Sequence, residues 1–199
     1  MPLFAFLRRR RPLEIFVEGT NEARTKSCML VAKDVLAARG YDTLAVTENV
    51  RQTKKQGLVQ DMENRKKDRP SVRAFLVLGC MRQHVERAEC IKKRGHGYDI
   101  VLHESHPNTC LRLFNADECV REMFGLIDNL VKFTTPPAVT IFLKDEKHTK
   151  HQSAFDDIMR ERVAKGGTVY EIVTRKLPDE EIATRMCEAS IRSYTLLRT

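Results

Sequence analysis

Residues 13–40 read LEIFVEGTNEARTKSCMLVAKDVLAARG, and the order of chemistries along them decides the architecture. Leu13 to Glu18 alternates like a strand and is followed by Gly19 and a polar loop. From Ser27 to Arg39 the apolar residues Met29, Leu30, Val31, Val35 and Leu36 fall at helical spacing, and Gly40 supplies the stop. Strand, glycine loop and helix make the frame of a phosphate-binding loop, because a flexible turn and the free amides at a helix start can wrap phosphate oxygens. The working pattern is GxxxxGK[ST], with lysine on the phosphates and the hydroxyl on magnesium. Here the loop runs Gly19-Thr20-Asn21-Glu22-Ala23-Arg24-Thr25-Lys26-Ser27. The first glycine and the Lys-Ser pair are present, Thr25 stands for the second glycine, and the spacing is one residue too long. A β-branched side chain suits close backbone approach poorly, and Glu22 adds a carboxylate where phosphate would lie. The other reading of the same residues is a plain strand-to-helix turn with Ser27 near the cap. The loop alone leaves both open.

Outward from this stretch, apolar strands and helical patterns alternate. Thr43–Thr47 reads as a second strand, Asp99–His103 as a third, Ala138–Leu143 as a fourth and Thr168–Val173 as a fifth. Between them, Val72–Arg94, Ala116–Phe133 and Ser153–Lys165 read as helices, and Asp179–Arg192 as the last helix, with Pro178 beside its start. Such alternation predicts an α/β fold: a parallel five-stranded sheet with helices on both faces. With no repeat, linker or low-complexity tract, residues 13–199 are expected to form one domain behind a basic extension, residues 1–12.

Composition narrows the class. The 199 residues are 42% hydrophobic and 31% charged, enough to build a core without metal or disulfide staples. No apolar run approaches the roughly 20 residues of a membrane-spanning helix. Cys28, Cys90, Cys119 and Cys187 lie in helical patterns and show no CxxC pairing, so buried free thiols in a reducing compartment are expected. The net charge of +8 is concentrated at Arg8–Arg11 and at Lys54, Lys55, Arg65, Lys66, Lys67 and Arg69. These bases are not interleaved with aromatics, which favours solvated faces or protein docking surfaces over nucleic acid. The segment Met1–Pro12 is apolar, arginine-rich and free of acids, the flavour of a mitochondrial address or of a tail that touches lipid or a partner. His103, His106, Cys110 and Glu104 match no zinc spacing, and His148 and His151 lie in a polar loop. Phe142, Phe155 and Tyr170 read as core.

The motif order resembles the thymidylate and deoxynucleoside kinase family. It consists of the Glu18-Gly19 loop closing on Lys26-Ser27, then Thr47-Glu48-Asn49-Val50 after strand two. Next come Gln83-His84-Val85-Glu86 on the long helix and Glu104 closing strand three. The likeness covers Leu13 to Arg192, and each motif is degenerate. Asn49 replaces a proline, Cys80 and Met81 occupy the place of an Asp-Arg pair, Ser105 stands where an arginine follows the strand-three acid, and Lys144–Gly167 is short for the arginine-rich lid. The resemblance implies Glu104 as a vestigial catalytic acid. It also implies Gly19, Lys26, Ser27, Arg160 and Arg162 as nucleotide contacts, and Ser27 and Glu104 as magnesium ligands if nucleotide binds. Arg160, Arg162 and Lys165, at helical spacing, read either as a lid remnant or as a solvated helix face. Phosphoryl transfer depends on positioning and charge neutralisation, and several such contributions are lost together. The expectation is therefore a non-catalytic, kinase-like accessory subunit. The family's precedent is a kinase-like subunit of mitochondrial respiratory complex I, which implies protein partners, a mitochondrial location (otherwise cytoplasmic), and either no cofactor or vestigial ATP or dNTP with magnesium. An active deoxynucleoside or nucleoside-monophosphate kinase with a divergent loop is the alternative, and a nucleic-acid module a third.

Overall fold

The computed structural model describes residues 12–47, 97–106, 109, 137–145 and 152–198. The opening stretch folds as β1 (Leu13–Gly19) and α1 (Glu22–Ala38), joined by Thr20 and Asn21. There follow β2 (Thr43–Val46), β3 (Ile100–Glu104), β4 (Val139–Lys144), α2 (Gln152–Ala164), β5 (Thr168–Val173) and α3 (Asp179–Arg198). Each of the five expected strands is present, and all pair in parallel in the order β2-β3-β1-β4-β5. The chain leaves β1 on one side to reach β2 and β3, then crosses to the other side for β4. The direction of winding therefore reverses beside β1, and the crevice at the carboxyl ends of its neighbours is where such sheets take ligands.

Register sorts the side chains onto two faces. Ile15 and Val17 of β1 pair with Leu102 and Glu104 of β3 and with Val139 and Ile141 of β4, so these point to one side of the sheet. That side packs with Cys28, Met29, Ala32 and Leu36 of α1 and Ile182, Ala183, Met186 and Cys187 of α3 in one buried cluster. Phe142 points the other way and packs with Phe155, Ile158 and Met159 of α2. Helices thus cover both faces, as the alternation requires. Cys28 and Cys187 are buried free thiols, and Phe142 and Phe155 are core, as expected. Burying a residue such as Phe142 contributes about 1.5–3 kcal/mol.

Two helix bounds differ by more than one residue from the sequence reading, each for a local reason. Helix α1 starts at Glu22, not Ser27, because the Asn21 side chain accepts from the Arg24 amide at 3.1 Å and caps it there. Its end follows the expected pattern: Gly40, at φ 88°, donates to the Ala37 carbonyl and Tyr41 to that of Leu36, a Schellman arrangement. Helix α3 runs on to Arg198 because its last turns are tied to the amino end of β3. The Tyr194 hydroxyl donates to Asp99 at 2.6 Å, and Arg198 lies over the Tyr194 ring at 4.1 Å.

Residues 1–11, the helices expected at 72–94 and 116–133, the motifs Glu48-Asn49-Val50 and Gln83-His84-Val85-Glu86, and Cys80, Met81, Cys90, Cys110, Cys119, His148 and His151 lie outside the described residues. So does the basic stretch from Lys54 to Arg69. Among the described residues no helix is long and apolar enough to cross a membrane.

Candidate functional site

The candidate site lies where β1 passes into α1. With the helix beginning at Glu22, Lys26 and Ser27 are its fifth and sixth residues. Their amides belong to the helix ladder rather than to a loop. Lys26 is half-buried and Ser27 exposed on the helix surface. Gly19 keeps its close approach, but to the chain itself: a Cβ built there would fall 2.1 Å from the Thr25 hydroxyl. That hydroxyl donates to the Asn21 carbonyl at 2.8 Å, and Thr25 is buried. The two departures from the phosphate-loop pattern are therefore one arrangement, in which the threonine replacing the second glycine fills the space left by the first. The cleft between Thr20, Asn21, Arg24, Thr25, Leu143, Asp145 and Thr174 measures about 10 Å³, room for about one water molecule.

Arg24 binds away from the loop. Its Nε donates to Asp179 at 2.9 Å, Nη1 to the Thr174 carbonyl at 3.1 Å and Nη2 to the Leu177 carbonyl at 2.5 Å. All three acceptors lie in the connection from β5 into α3 or at its end. One turn further along α1, burial pushes the Cys28 thiol up from an ordinary 9.0 to about 11, helped by the Asp179 carboxylate. A thiol held this high is a poor nucleophile at neutral pH. Cys28 is expected to stay unmodified by iodoacetamide at neutral pH under conditions that label it fully in the unfolded chain, a difference readable by mass spectrometry. The sign of the linkage follows: the folded state resists ionisation, so this contribution is intact below pH 9.0 and is lost as pH rises from there towards about 11.

At the carboxyl end of β3, Glu104 is buried on the α1 side of the sheet, beside Val17. Adjacent strand residues face opposite ways, so His103 points to the other side, where its ring stacks on Phe16 at a centroid distance of 4.6 Å. The two residues cannot serve one metal ion, and among the described residues no three ligating side chains converge. Ser105, in the place of the family's arginine, takes φ 56°. Its amide prolongs the ladder to the Val17 carbonyl at 2.9 Å, and the left-handed turn then aims the His106 amide at Glu18.

Glu18 is the residue that sequence reasoning misses. It is fully buried on the α2 side, and its Oε1 accepts from the His106 amide at 3.0 Å, the Thr109 hydroxyl at 2.6 Å and Arg162 Nη2 at 2.9 Å. Arg162 also donates to the Thr140 hydroxyl at 3.0 Å and to Thr109 at 2.5 Å. Glu18 Oε2 has no partner among the described residues. The signal is there as an acid directly before Gly19, in a strand expected to be buried on both faces. Such an acid calls for a partner, and no local pattern points 144 residues ahead.

The structure also splits the arginines at helical spacing. Arg160 is exposed and pairs with Asp157 at 2.6 Å on the surface of α2. Arg162 is buried and committed to β1, which corrects the solvated-face reading for that residue. Helical spacing puts the arginines on neighbouring positions, but the turn of α2 sends one outward and the other to the sheet. Gly19 thus ends β1, while Lys26 and Ser27 are wound into the second turn of α1. Glu104 lies on the same side of the sheet, and Arg160 and Arg162 belong to the opposite side.

No protein-family model matches the chain, and no curated protein does. Among solved structures it is similar to thymidylate kinase from Ehrlichia chaffeensis, with a TM-score of 0.57 and 14% identity over 90% of this chain and 98% of that one. At this identity the likeness is one of fold: a thymidylate kinase-like P-loop α/β architecture.

Proposed function

We propose that the chain is a non-catalytic protein that keeps the thymidylate kinase-like fold as a building block, an accessory subunit of a larger assembly, with a respiratory complex I-type mitochondrial assembly as the specific case. The observation that carries the non-catalytic part is the start of α1 at Glu22, which winds Lys26 and Ser27 into the helix. Catalysis of phosphoryl transfer is almost entirely positioning and charge stabilisation. In this chain the glycine approach is filled by Thr25, Arg24 is tied to Asp179, and Arg162 serves a buried carboxylate. Each of these groups is committed within the chain rather than held for phosphate. The assembly part is supported by the basic, acid-free N-terminal segment and the +8 charge, which suit an acidic protein or lipid surface.

The test is calorimetry of magnesium-ATP binding to the full chain. No heat of binding is expected at millimolar ATP. Binding that Lys26→Ala abolishes would overturn the reading and make the chain a kinase with a divergent loop. Chemical crosslinking of the chain in isolated mitochondria then tests the assembly, with crosslinks to membrane-complex subunits expected.

A further inference from the structure

We propose that Arg24 is a built-in clamp at the rim of the crevice: its guanidinium bridges the first turn of α1 to the β5–α3 connection and holds the two segments together. This rests on the reading above that the crevice holds no nucleotide. The two segments are 150 residues apart in sequence. Even so, three of the guanidinium's donors meet acceptors in the single stretch Thr174–Asp179. Those acceptors are the carbonyls of Thr174 and Leu177 and the carboxylate of Asp179. The connection turns sharply, with Lys176 at φ 65° and the Leu177 amide donating back to the Thr174 carbonyl at 3.2 Å. The Thr174 hydroxyl and amide both reach the Lys144 carbonyl, so the connection is fixed to the end of β4 as well. On its other side Arg24 stands between Asn21, which caps the helix, and Thr25, which fills the space beside Gly19. One side chain therefore serves two turn carbonyls and a carboxylate at the rim of the crevice, and its removal leaves all three without that donor. A lysine has a single donor head and cannot meet three acceptors in this planar fan.

The experiment is amide hydrogen exchange on the full chain, read by mass spectrometry. In Arg24→Ala, peptides covering residues 22–27 and 174–179 are both expected to exchange about tenfold faster, while those of β4 stay at the wild-type rate. Millimolar methylguanidinium, far below denaturing concentrations, is expected to restore much of the protection in the variant and to leave the wild type unchanged. Asp179→Asn, which keeps both carbonyl bonds, is expected to give a smaller loss in the same two segments and serves if the alanine variant does not fold. Faster exchange in one segment only, or a loss that methylguanidinium does not repair, overturns the proposal. Magnesium-ATP binding by the wild type would instead overturn the reading of the crevice, so the two failures are distinguishable.

Discussion

Arg162→Ala is expected to destabilise the chain by about 3–5 kcal/mol, because removing one partner of a buried ion pair leaves the other charged and unpaired. Glu18 is fully buried, and Arg162 is the cation that the described residues place on it. Without the guanidinium, Oε1 keeps, among the described residues, only the His106 amide and the Thr109 hydroxyl, and Oε2 has no partner among them in either case. Thr140 loses its donor as well. The check is urea unfolding followed by circular dichroism, where a lower midpoint at an unchanged slope reports stability alone. Arg162→Lys should recover only part of the loss, since one ammonium cannot reach Glu18, Thr109 and Thr140 together. Replacing both partners, Glu18→Leu with Arg162→Met, should cost far less than the single change, as apolar residues of similar volume often match a buried pair. A loss below about 1 kcal/mol in Arg162→Ala, the range of surface pairs, would return Arg162 to the solvated face that helical spacing suggests.

How much of this is legible in the sequence follows from the range of each signal. The strands are readable because burial on both faces makes short apolar runs, and Asp99–His103 and Ala138–Leu143 need no partner to be recognised. The parallel pairing comes with the alternation of strands and helices. The start of α1 is harder, because the loop pattern draws attention to Lys26-Ser27. Asn21, an ordinary capping residue, decides the matter through one hydrogen bond. The end of α3 and the role of Arg162 are not legible, since Tyr194–Asp99 and Arg162–Glu18 join positions 95 and 144 residues apart. Periodicity reports which residues are neighbours on an element, not what waits across the core.

Those two kinds of contact also explain why the fold survives a degenerate loop. A working phosphate loop needs glycine where the ligand approaches, and that freedom costs stability when no ligand comes. Here Thr25 packs into the opening, Arg24 ties the rim, and Arg162 and Glu18 join α2 to β1 from the opposite side of the sheet. At Gly19 and Arg162 the contact within the chain falls where the resemblance implies a contact to nucleotide, and at Thr25 where it implies a gap left for one.

Gly19→Ala separates those two uses of the same glycine. The new methyl would sit 2.1 Å from the Thr25 hydroxyl oxygen, far inside contact distance, and 3.4 Å from the Cβ atoms of Thr25 and Leu143. Thr25 cannot swing freely, because a β-branched side chain on a helix has few rotamers and its hydroxyl is bonded to the Asn21 carbonyl. Overpacking of this kind costs about 1–3 kcal/mol, and the upper half of that range is expected because the clash is with an atom one bond from Cβ. Thr25→Ala removes the clashing oxygen, and the next nearest atoms lie at 3.4 Å. In the double variant the methyl added at position 19 occupies the space the hydroxyl vacates. Its cost should therefore be smaller than the sum of the single changes by about 1–2 kcal/mol, a coupling typical of residues in contact. Unfolding in urea of the wild type, the two single variants and the double variant measures it. If Gly19→Ala is neutral, or if the two changes simply add, Thr25 does not fill the space beside Gly19, and the glycine is kept for something that must approach from outside the chain.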